Sequence, residues 1–125
     1  MQLLLAVSAV SGFSAVALGA FGAHGLRKKL ADAPDGPLRL TWWQTGASYH
    51  LAHALAIGLT AILDERIPGG LPEAAAWAFV AGILLFSGSL YVMTVSGRRA
   101  LGAVTPLGGL GFLVGWVCLF CAAFG

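Results

Sequence analysis

The charged residues of this 125-residue chain are confined to three short segments. All seven Lys and Arg and all five Asp and Glu lie within residues 27–39, 64–73 and 98–99. The apolar stretches around these segments are each roughly 20 residues long, which is the length of helix that crosses the hydrocarbon core of a bilayer. This arrangement constrains the chain to a set of membrane-spanning segments joined by charged loops.

Composition agrees with this interpretation. The chain is 58% hydrophobic and 10% charged, whereas soluble domains are about 45–50% apolar and about 25% charged. Backbone groups in lipid must bond within their own segment, and the alternation typical of a membrane β-strand is absent. We therefore predict an all-α integral membrane protein, a four-transmembrane-helix bundle that forms a single domain over residues 1–125. Its helices are expected at about 3–23, 42–63, 72–95 and 106–124.

The first apolar stretch has some features of a secretory signal peptide. It runs from Leu3 to Ala20 and ends in small residues. No Lys or Arg precedes it, although a signal peptide has a basic segment there. We therefore expect a retained helix.

The distribution of Lys and Arg predicts the orientation in the membrane. The loops after the first and third predicted helices carry six of these residues, whereas the loop after the second carries only Arg66. Cytoplasmic loops are enriched in Lys and Arg. Loops one and three are therefore expected in the cytoplasm, and both termini are expected outside.

Small residues at four-residue spacing indicate where the helices pack, because apolar side chains gain little by leaving lipid and close approach must stabilise the contacts. The pair Gly111 and Gly115 forms a GxxxG pattern on the fourth helix. Packing within one chain and a dimer-forming face are both compatible with the pattern. The glycines expected at helix contacts are Gly19, Gly46, Gly58, Gly82, Gly111 and Gly115.

Apart from Glu73 in the first turn of the third predicted helix, no carboxylate, lysine or arginine lies inside a predicted span, which argues against an exporter that uses a membrane-embedded acid. His50 and His53 lie in the second helix, three residues apart and near mid-membrane depth. An ionisable residue at that depth indicates a functional site. The candidate polar site comprises His24, Gln44, Tyr49, His50 and His53.

Several roles remain open for these histidines. They could ligate a metal or haem, relay protons, line a polar pocket, or hydrogen-bond as neutral imidazoles across a helix interface. One HxxH pair is weak evidence for metal, and no third ligand is evident at the same depth, so His50 and His53 are weak metal candidates and no cofactor is expected. The CxxC pair Cys118 and Cys121 lacks the soluble redox context of that motif, and we interpret it as small apolar filler.

Five strings of the sequence carry a family resemblance. They are GAFGAHGL at 19–26, WQT at 43–45, YHLAHAL at 49–55, LFSGSLY at 85–91 and LGAVTPLGG at 101–109. Together they resemble the bacterial membrane family called domain of unknown function 423, which is similar to a small eukaryotic transmembrane family. The resemblance implies a four-helix protein of the bacterial inner membrane, without an established activity. The recurring polar residues of the family match His24, Gln44, Tyr49, His50, His53, Ser87, Ser89, Tyr91 and Thr105.

These observations favour a non-enzymatic helical bundle, since no nucleophile, base and orienting group can be recognised in the sequence and cofactor motifs are missing. The bundle would act alone, as a homo-oligomer or as an accessory subunit of a membrane complex. A small transporter or channel with a polar path through His53, His50 and Gln44 is one alternative, and a histidine-based metal, haem or redox protein is another. The lipid bilayer is an expected partner, and nucleic acid is not.

Overall fold

The computed structural model describes residues 1–125, and its regular structure is entirely helical. Four helices are long and apolar enough to cross a membrane. We name them α1 (Gln2–Lys29), α2 (Gly36–Asp64), α3 (Leu71–Ser96) and α4 (Thr105–Ala122), and a 3-10 helix at Arg99–Ala103 precedes α4. The fold is that of an all-α membrane protein.

The helices extend further than the apolar stretches. α1 continues to Lys29 beyond the predicted 23, and α2 begins at Gly36, six residues before the predicted 42. Pro37 stands in the first turn of α2, where its missing N–H costs nothing. The 29 residues of α2 are about 43 Å long at 1.5 Å per residue, which exceeds the thickness of a hydrocarbon core of about 30 Å. Hydropathy marks only the part of a helix that lies in lipid.

Helix α2 is the centre of the bundle. It contacts α1 and α3, while α4 packs mainly against α3. Four alanines in the main core cluster let α2 and α3 approach closely, as small residues do in membrane helices. The cluster contains Leu4, Ala56, Ile57, Ala61, Ala75, Ala76, Phe79, Ile83 and Phe112.

Aromatic rings and glycines hold α3 and α4 together. Three glycines lie under phenylalanines of the opposite helix, so closely that an added Cβ would overlap the phenylalanine. The pairs are Phe79 with Gly115, Phe112 with Gly82, and Phe86 with Gly108. The Phe79 and Phe112 rings therefore each fill a notch that only glycine leaves open, and at Gly108 the backbone of Phe86 itself lies against α4.

Arg39 ties the start of α2 to the end of α3. Its Nε donates to the carbonyl of Thr94 at 2.8 Å, and its Nη2 donates to the carbonyl of Val95 at 3.0 Å. The Thr94 hydroxyl donates in return to the carbonyl of Arg39 at 3.0 Å. The last carbonyls of a helix lack partners within it and carry partial negative charge, so a guanidinium is favourable there.

Two π-helical segments interrupt the α-helices. Gly22–Leu26 lies in α1, and Ile83–Ser87 lies in α3. At the first segment, the Trp43 indole occupies the space beside Gly22 and donates to the carbonyl of Leu18 at 2.7 Å. At the second, the Ser87 hydroxyl donates to the carbonyl of Gly46 at 2.7 Å. Both segments therefore contact α2, and π-helical turns often accompany functional sites.

Candidate functional site

His50 stands halfway along α2 and joins three helices. It is 6% exposed. Its Nδ1 lies 2.9 Å from the hydroxyl of Tyr91 on α3, and its Nε2 lies 3.1 Å from the hydroxyl of Ser11 on α1. We call Ser11, His50 and Tyr91 the His50 network. The network satisfies a buried imidazole with hydroxyls from both neighbouring helices, as burial of a polar group requires.

A groove between α1 and α3 passes over this network. Its volume is about 550 Å³, and Ser14 is the one polar lining residue outside the network. The groove follows α1 from Ala6 to Leu18, a length of about 18 Å at 1.5 Å per residue. Val10 and Leu84 line it and are each 68% exposed, so the groove opens sideways to the bilayer. The principal apolar lining residues are Val7, Val10, Leu18, Ile57, Ile83 and Leu84.

His53 points away from this groove and towards α4. Its Nδ1 lies 2.7 Å from the carbonyl of Tyr49, which only accepts, so Nδ1 carries the proton. Its Nε2 accepts from the Trp116 indole at 3.1 Å. The imidazole stacks on Phe112 with a centroid separation of 3.7 Å and an interplanar angle of 12°. These contacts hold His53 in one neutral tautomer and use both ring nitrogens.

The HxxH pair therefore does not converge on one site. His50 faces α1 and α3, whereas His53 faces α4. No group of three or more His, Cys, Asp or Glu side chains is close enough to hold a metal ion. A metal at His53 would also have to displace the Trp116 indole from Nε2. Each histidine makes a polar bond to a neighbouring helix: His50 to Ser11 and Tyr91, and His53 to Trp116.

The other predicted polar residues lie apart. Gln44 is exposed, and its side chain forms no hydrogen bond. His24 is exposed at the basic end of α1, in a pocket with Arg27 and Lys28. Tyr49 is 47% exposed and packs on Phe86 at a ring separation of 4.7 Å. Gln44, His50 and His53 therefore do not form a continuous polar path in the structure.

The predicted packing glycines differ in their surroundings. Gly46 lies against α3, and a Cβ added there would be 3.2 Å from the Tyr91 ring. Gly58 faces the Ser8 hydroxyl of α1. A Cβ added at Gly19 would meet nothing within 4 Å, because this side of α1 has no neighbouring helix. The remaining three, Gly82, Gly111 and Gly115, lie between α3 and α4.

Cys118 and Cys121 are both free thiols on α4, half-buried and exposed respectively. They are remote from the His50 network, which lies between α1, α2 and α3.

Sequence reasoning missed three partners of the histidines. Ser11 was not among the candidate site residues, and Tyr91 was noted only as a match to the family pattern. Trp116 had no expected role. The available signal was chemical, since each buried imidazole needs a donor or acceptor from another helix, and few residues in the apolar spans offer one.

Four spans, a satisfied polar core and a groove open to lipid define a small multi-pass membrane protein. The family model described as protein of unknown function, DUF423, matches residues 18–109, and this chain belongs to that family. The match includes His50 and Tyr91 and excludes Ser11 and Trp116.

Relatives match nearly the whole chain. UPF0382 membrane protein YwdK of Bacillus subtilis is 44% identical over 124 residues, covering 98% of this chain and 97% of the relative. UPF0382 inner membrane protein YgdD of Escherichia coli K12 is 41% identical over 123 residues, covering 98% and 89%. No solved structure matches the chain.

Proposed function

We propose that this protein is a non-enzymatic binding protein of the bacterial inner membrane, and that it takes an apolar ligand from the bilayer into the groove between α1 and α3. The groove carries the proposal. Its volume of about 550 Å³ falls within the roughly 300–1,000 Å³ of small-molecule sites. Its walls are mainly apolar, and apart from Ser14 its polar side chains belong to one cluster, the His50 network. That combination is typical of a site that accepts a mainly hydrocarbon molecule and orients it by a single polar contact.

The contact between Ser11 and His50 resembles a catalytic pair, because a serine beside an imidazole is the usual activated nucleophile. The third group here is the neutral hydroxyl of Tyr91, and the groove contains no carboxylate to stabilise an imidazolium. Ser11 also lies inside α1, where the backbone amides bond within the helix and are not free to form an oxyanion hole. These features favour binding over acyl transfer.

A fluorophosphonate probe tests this part of the proposal. We expect Ser11 to remain unmodified in the protein reconstituted in nanodiscs, as measured by peptide mass spectrometry, while a serine hydrolase added to the sample is labelled. Labelling of Ser11 that disappears in His50→Leu would contradict a non-enzymatic role.

The binding proposal is tested with a photoreactive hydrocarbon dissolved in the nanodisc lipid. Val10 and Leu84 in the groove are each 68% exposed, and Leu113 on the lipid face of α4 is 63% exposed. Equal exposure to bulk lipid predicts equal labelling of the three. Occupation of the groove predicts stronger labelling at Val10 and Leu84.

A matched pair of substitutions sharpens this experiment. A Cβ added at Gly88, which lines the groove, or at Gly109, on α4, first meets an atom 3.9 Å away. Gly88→Leu should fill the groove and abolish the excess labelling, and Gly109→Leu should leave it unchanged. Uniform labelling of all three positions in the unaltered protein would defeat the proposal.

The proposed orientation places loops one and three in the cytoplasm and both termini outside. It rests on six Lys and Arg in those two loops against Arg66 in the middle loop. In this orientation the C-terminal end of α3, with its Arg39 contact, lies on the cytoplasmic side.

An accessory role in a membrane complex, or a homo-oligomer, is part of the same proposal. α1 and α4 keep many large side chains on lipid-facing surfaces, including Phe13 and Phe120, which are 77% and 67% exposed. Native mass spectrometry from nanodiscs measures the outcome directly: a bare monomer at all protein concentrations would remove the oligomer from the proposal.

A further inference from the structure

The hydrogen-bond donors of the His50 network outnumber its internal bonds. A neutral imidazole carries one N–H, and each hydroxyl carries one O–H, so the network holds three protons that can be donated. Only two hydrogen bonds join its members, from Nδ1 to Tyr91 and from Nε2 to Ser11. Neither hydroxyl makes another hydrogen bond. One hydroxyl proton is therefore left to bond with something outside the network.

The tautomer of His50 decides which hydroxyl keeps that proton. If Nδ1 carries the proton, it donates to Tyr91, Ser11 donates to Nε2, and the Tyr91 proton is spare. If Nε2 carries the proton, it donates to Ser11, Tyr91 donates to Nδ1, and the Ser11 proton is spare. Both residues line the groove. In either state the unused donor belongs to a residue of the groove wall, whose surface is otherwise mainly apolar.

The depth of this donor restricts its acceptor. His50 is the central residue of α2 (Gly36–Asp64), so the network lies near the middle of the bilayer. The headgroup boundary is about 15 Å away, since the hydrocarbon core is about 30 Å thick. Lipids whose only polar groups are held at that boundary do not reach the donor. The acceptor must belong to a neutral molecule whose polar atom enters the hydrocarbon core.

The chemistry of the donor argues against a helix as the occupant of the groove. The carbonyls of a helix are bonded within it and offer the spare proton only a secondary acceptor. A small molecule with a free carbonyl offers a full acceptor, and the groove volume of about 550 Å³ lies within the range of small-molecule sites.

We propose that the ligand of this groove is a lipid quinone, with one ring carbonyl accepting the spare proton of the His50 network and the hydrocarbon tail lying along α1. This inference rests on the proposed function and names its ligand class. A quinone is neutral, so its head enters the hydrocarbon core without the cost of burying a charge. Its carbonyl supplies the acceptor that the donor count requires, and binding involves no electron transfer.

Competition against the photoreactive hydrocarbon tests the inference. The probes are a benzoquinone with a decyl tail and a benzene ring with the same tail. Both should displace the photolabel from Val10 and Leu84. The quinone should do so at about tenfold lower concentration, since one hydrogen bond of ordinary strength separates the two.

The variant Ser11→Ala/His50→Leu/Tyr91→Phe removes every donor together and should remove the preference while both probes still compete. The infrared carbonyl band of the bound quinone provides a second measurement on the unaltered protein. It should shift to lower frequency relative to the quinone in protein-free nanodiscs, and it decides the question even if the variant does not fold.

Each outcome separates the two proposals. A quinone preference with a lowered carbonyl band supports both. Equal competition by the two probes with an unshifted band overturns the quinone inference and leaves the apolar groove as proposed. If neither probe competes and photolabelling is uniform, the proposed function is overturned as well.

Discussion

Two histidines on neighbouring turns of α2 have different physical roles. His50 is bonded only through hydroxyls, which exchange donor and acceptor roles, so either tautomer fits its surroundings. His53 is bonded to a carbonyl and an indole N–H, whose roles are fixed, so one tautomer fits. His53 also stacks on Phe112. His53 is therefore a structural residue of the α2–α4 contact, and His50 retains a choice that a ligand could influence.

Removing the His53 imidazole should destabilise the bundle. His53→Leu removes the acceptor of the Trp116 N–H and the second bond to the Tyr49 carbonyl, which keeps its backbone bond within the helix. A hydrogen bond of ordinary strength contributes about 0.5–1.5 kcal/mol. We expect a lower unfolding midpoint in detergent, monitored by circular dichroism. Cys121→Ala is the control, because Cys121 is exposed and exposed substitutions usually change stability by less than about 0.5 kcal/mol. Equal midpoints for His53→Leu and the parent would show that the Trp116 bond contributes nothing.

At the scale of helices, the bundle is stabilised by two different kinds of contact. Rings set into glycine notches join α3 to α4, and hydrogen bonds from Arg39 join α2 to α3. Because lipid is as apolar as the side chains, shape and polar bonds replace the hydrophobic effect between these helices.

The glycine notches predict that alanine substitution at two glycines of α4, six residues apart, changes the stability of the bundle by very different amounts. Gly115→Ala places a Cβ inside the Phe79 ring position and should cost about 1–3 kcal/mol, the usual cost of overpacking. Gly109→Ala places its Cβ 3.9 Å from Phe86 and should be close to neutral. Chemical unfolding of both variants in the same detergent measures the difference. A Gly115→Ala variant as stable as Gly109→Ala would mean that α3 and α4 adjust freely.

The Arg39 contact predicts that lysine is a poor substitute. Arg39→Lys keeps the charge, and therefore the orientation signal, but loses the fork that reaches two carbonyls. We expect a loss of about 1.5–3 kcal/mol, the range for a hydrogen bond to a charged group. Arg98→Lys is the matched control, since the Arg98 side chain is exposed and makes no hydrogen bond. Thermal unfolding that treats both variants alike would contradict the capping role.

The whole molecule is asymmetric about α2. α1 makes most of its helix contacts with α2, and the groove separates it from α3. α4, in contrast, is interlocked with α3. The open side of the bundle therefore lies between α1 and α3, where the His50 network meets lipid, and the closed side lies over His53.

The proposed orientation gives a prediction at this scale. A periplasmic alkaline phosphatase fused after Gly125 should be active, and a green fluorescent protein at the same point should be dark, because the C-terminus is expected outside. Fusions after Arg66, in the middle loop, should behave in the same way, and fusions after Ala31 in the opposite way. Fluorescence at Gly125 would reverse the assignment of the loops.

The number of spans followed from the sequence because insertion in lipid depends on the summed hydropathy of about 20 residues. The positions of the charges ended each stretch. The helix ends were less well predicted, since α2 begins at Gly36 and α1 ends at Lys29, both outside the apolar stretches that hydropathy marks. The presence of His50 and His53 within an apolar stretch is likewise visible in the sequence alone, so both were recognised as candidate site residues.

Only the tertiary structure decided what those histidines contact. Three residues along a helix is about 300° of rotation, or 60° in the shorter direction, so His50 and His53 are neighbours in sequence and still face different helices. Whether a neighbour offers Ser11, Tyr91 or Trp116 depends on the crossing and depth of that helix. In lipid these are set by glycine notches and π-helical turns such as Gly22–Leu26. The groove has the same origin, because it exists where α1 does not reach α3, and a property of two helices together has no signature in either one.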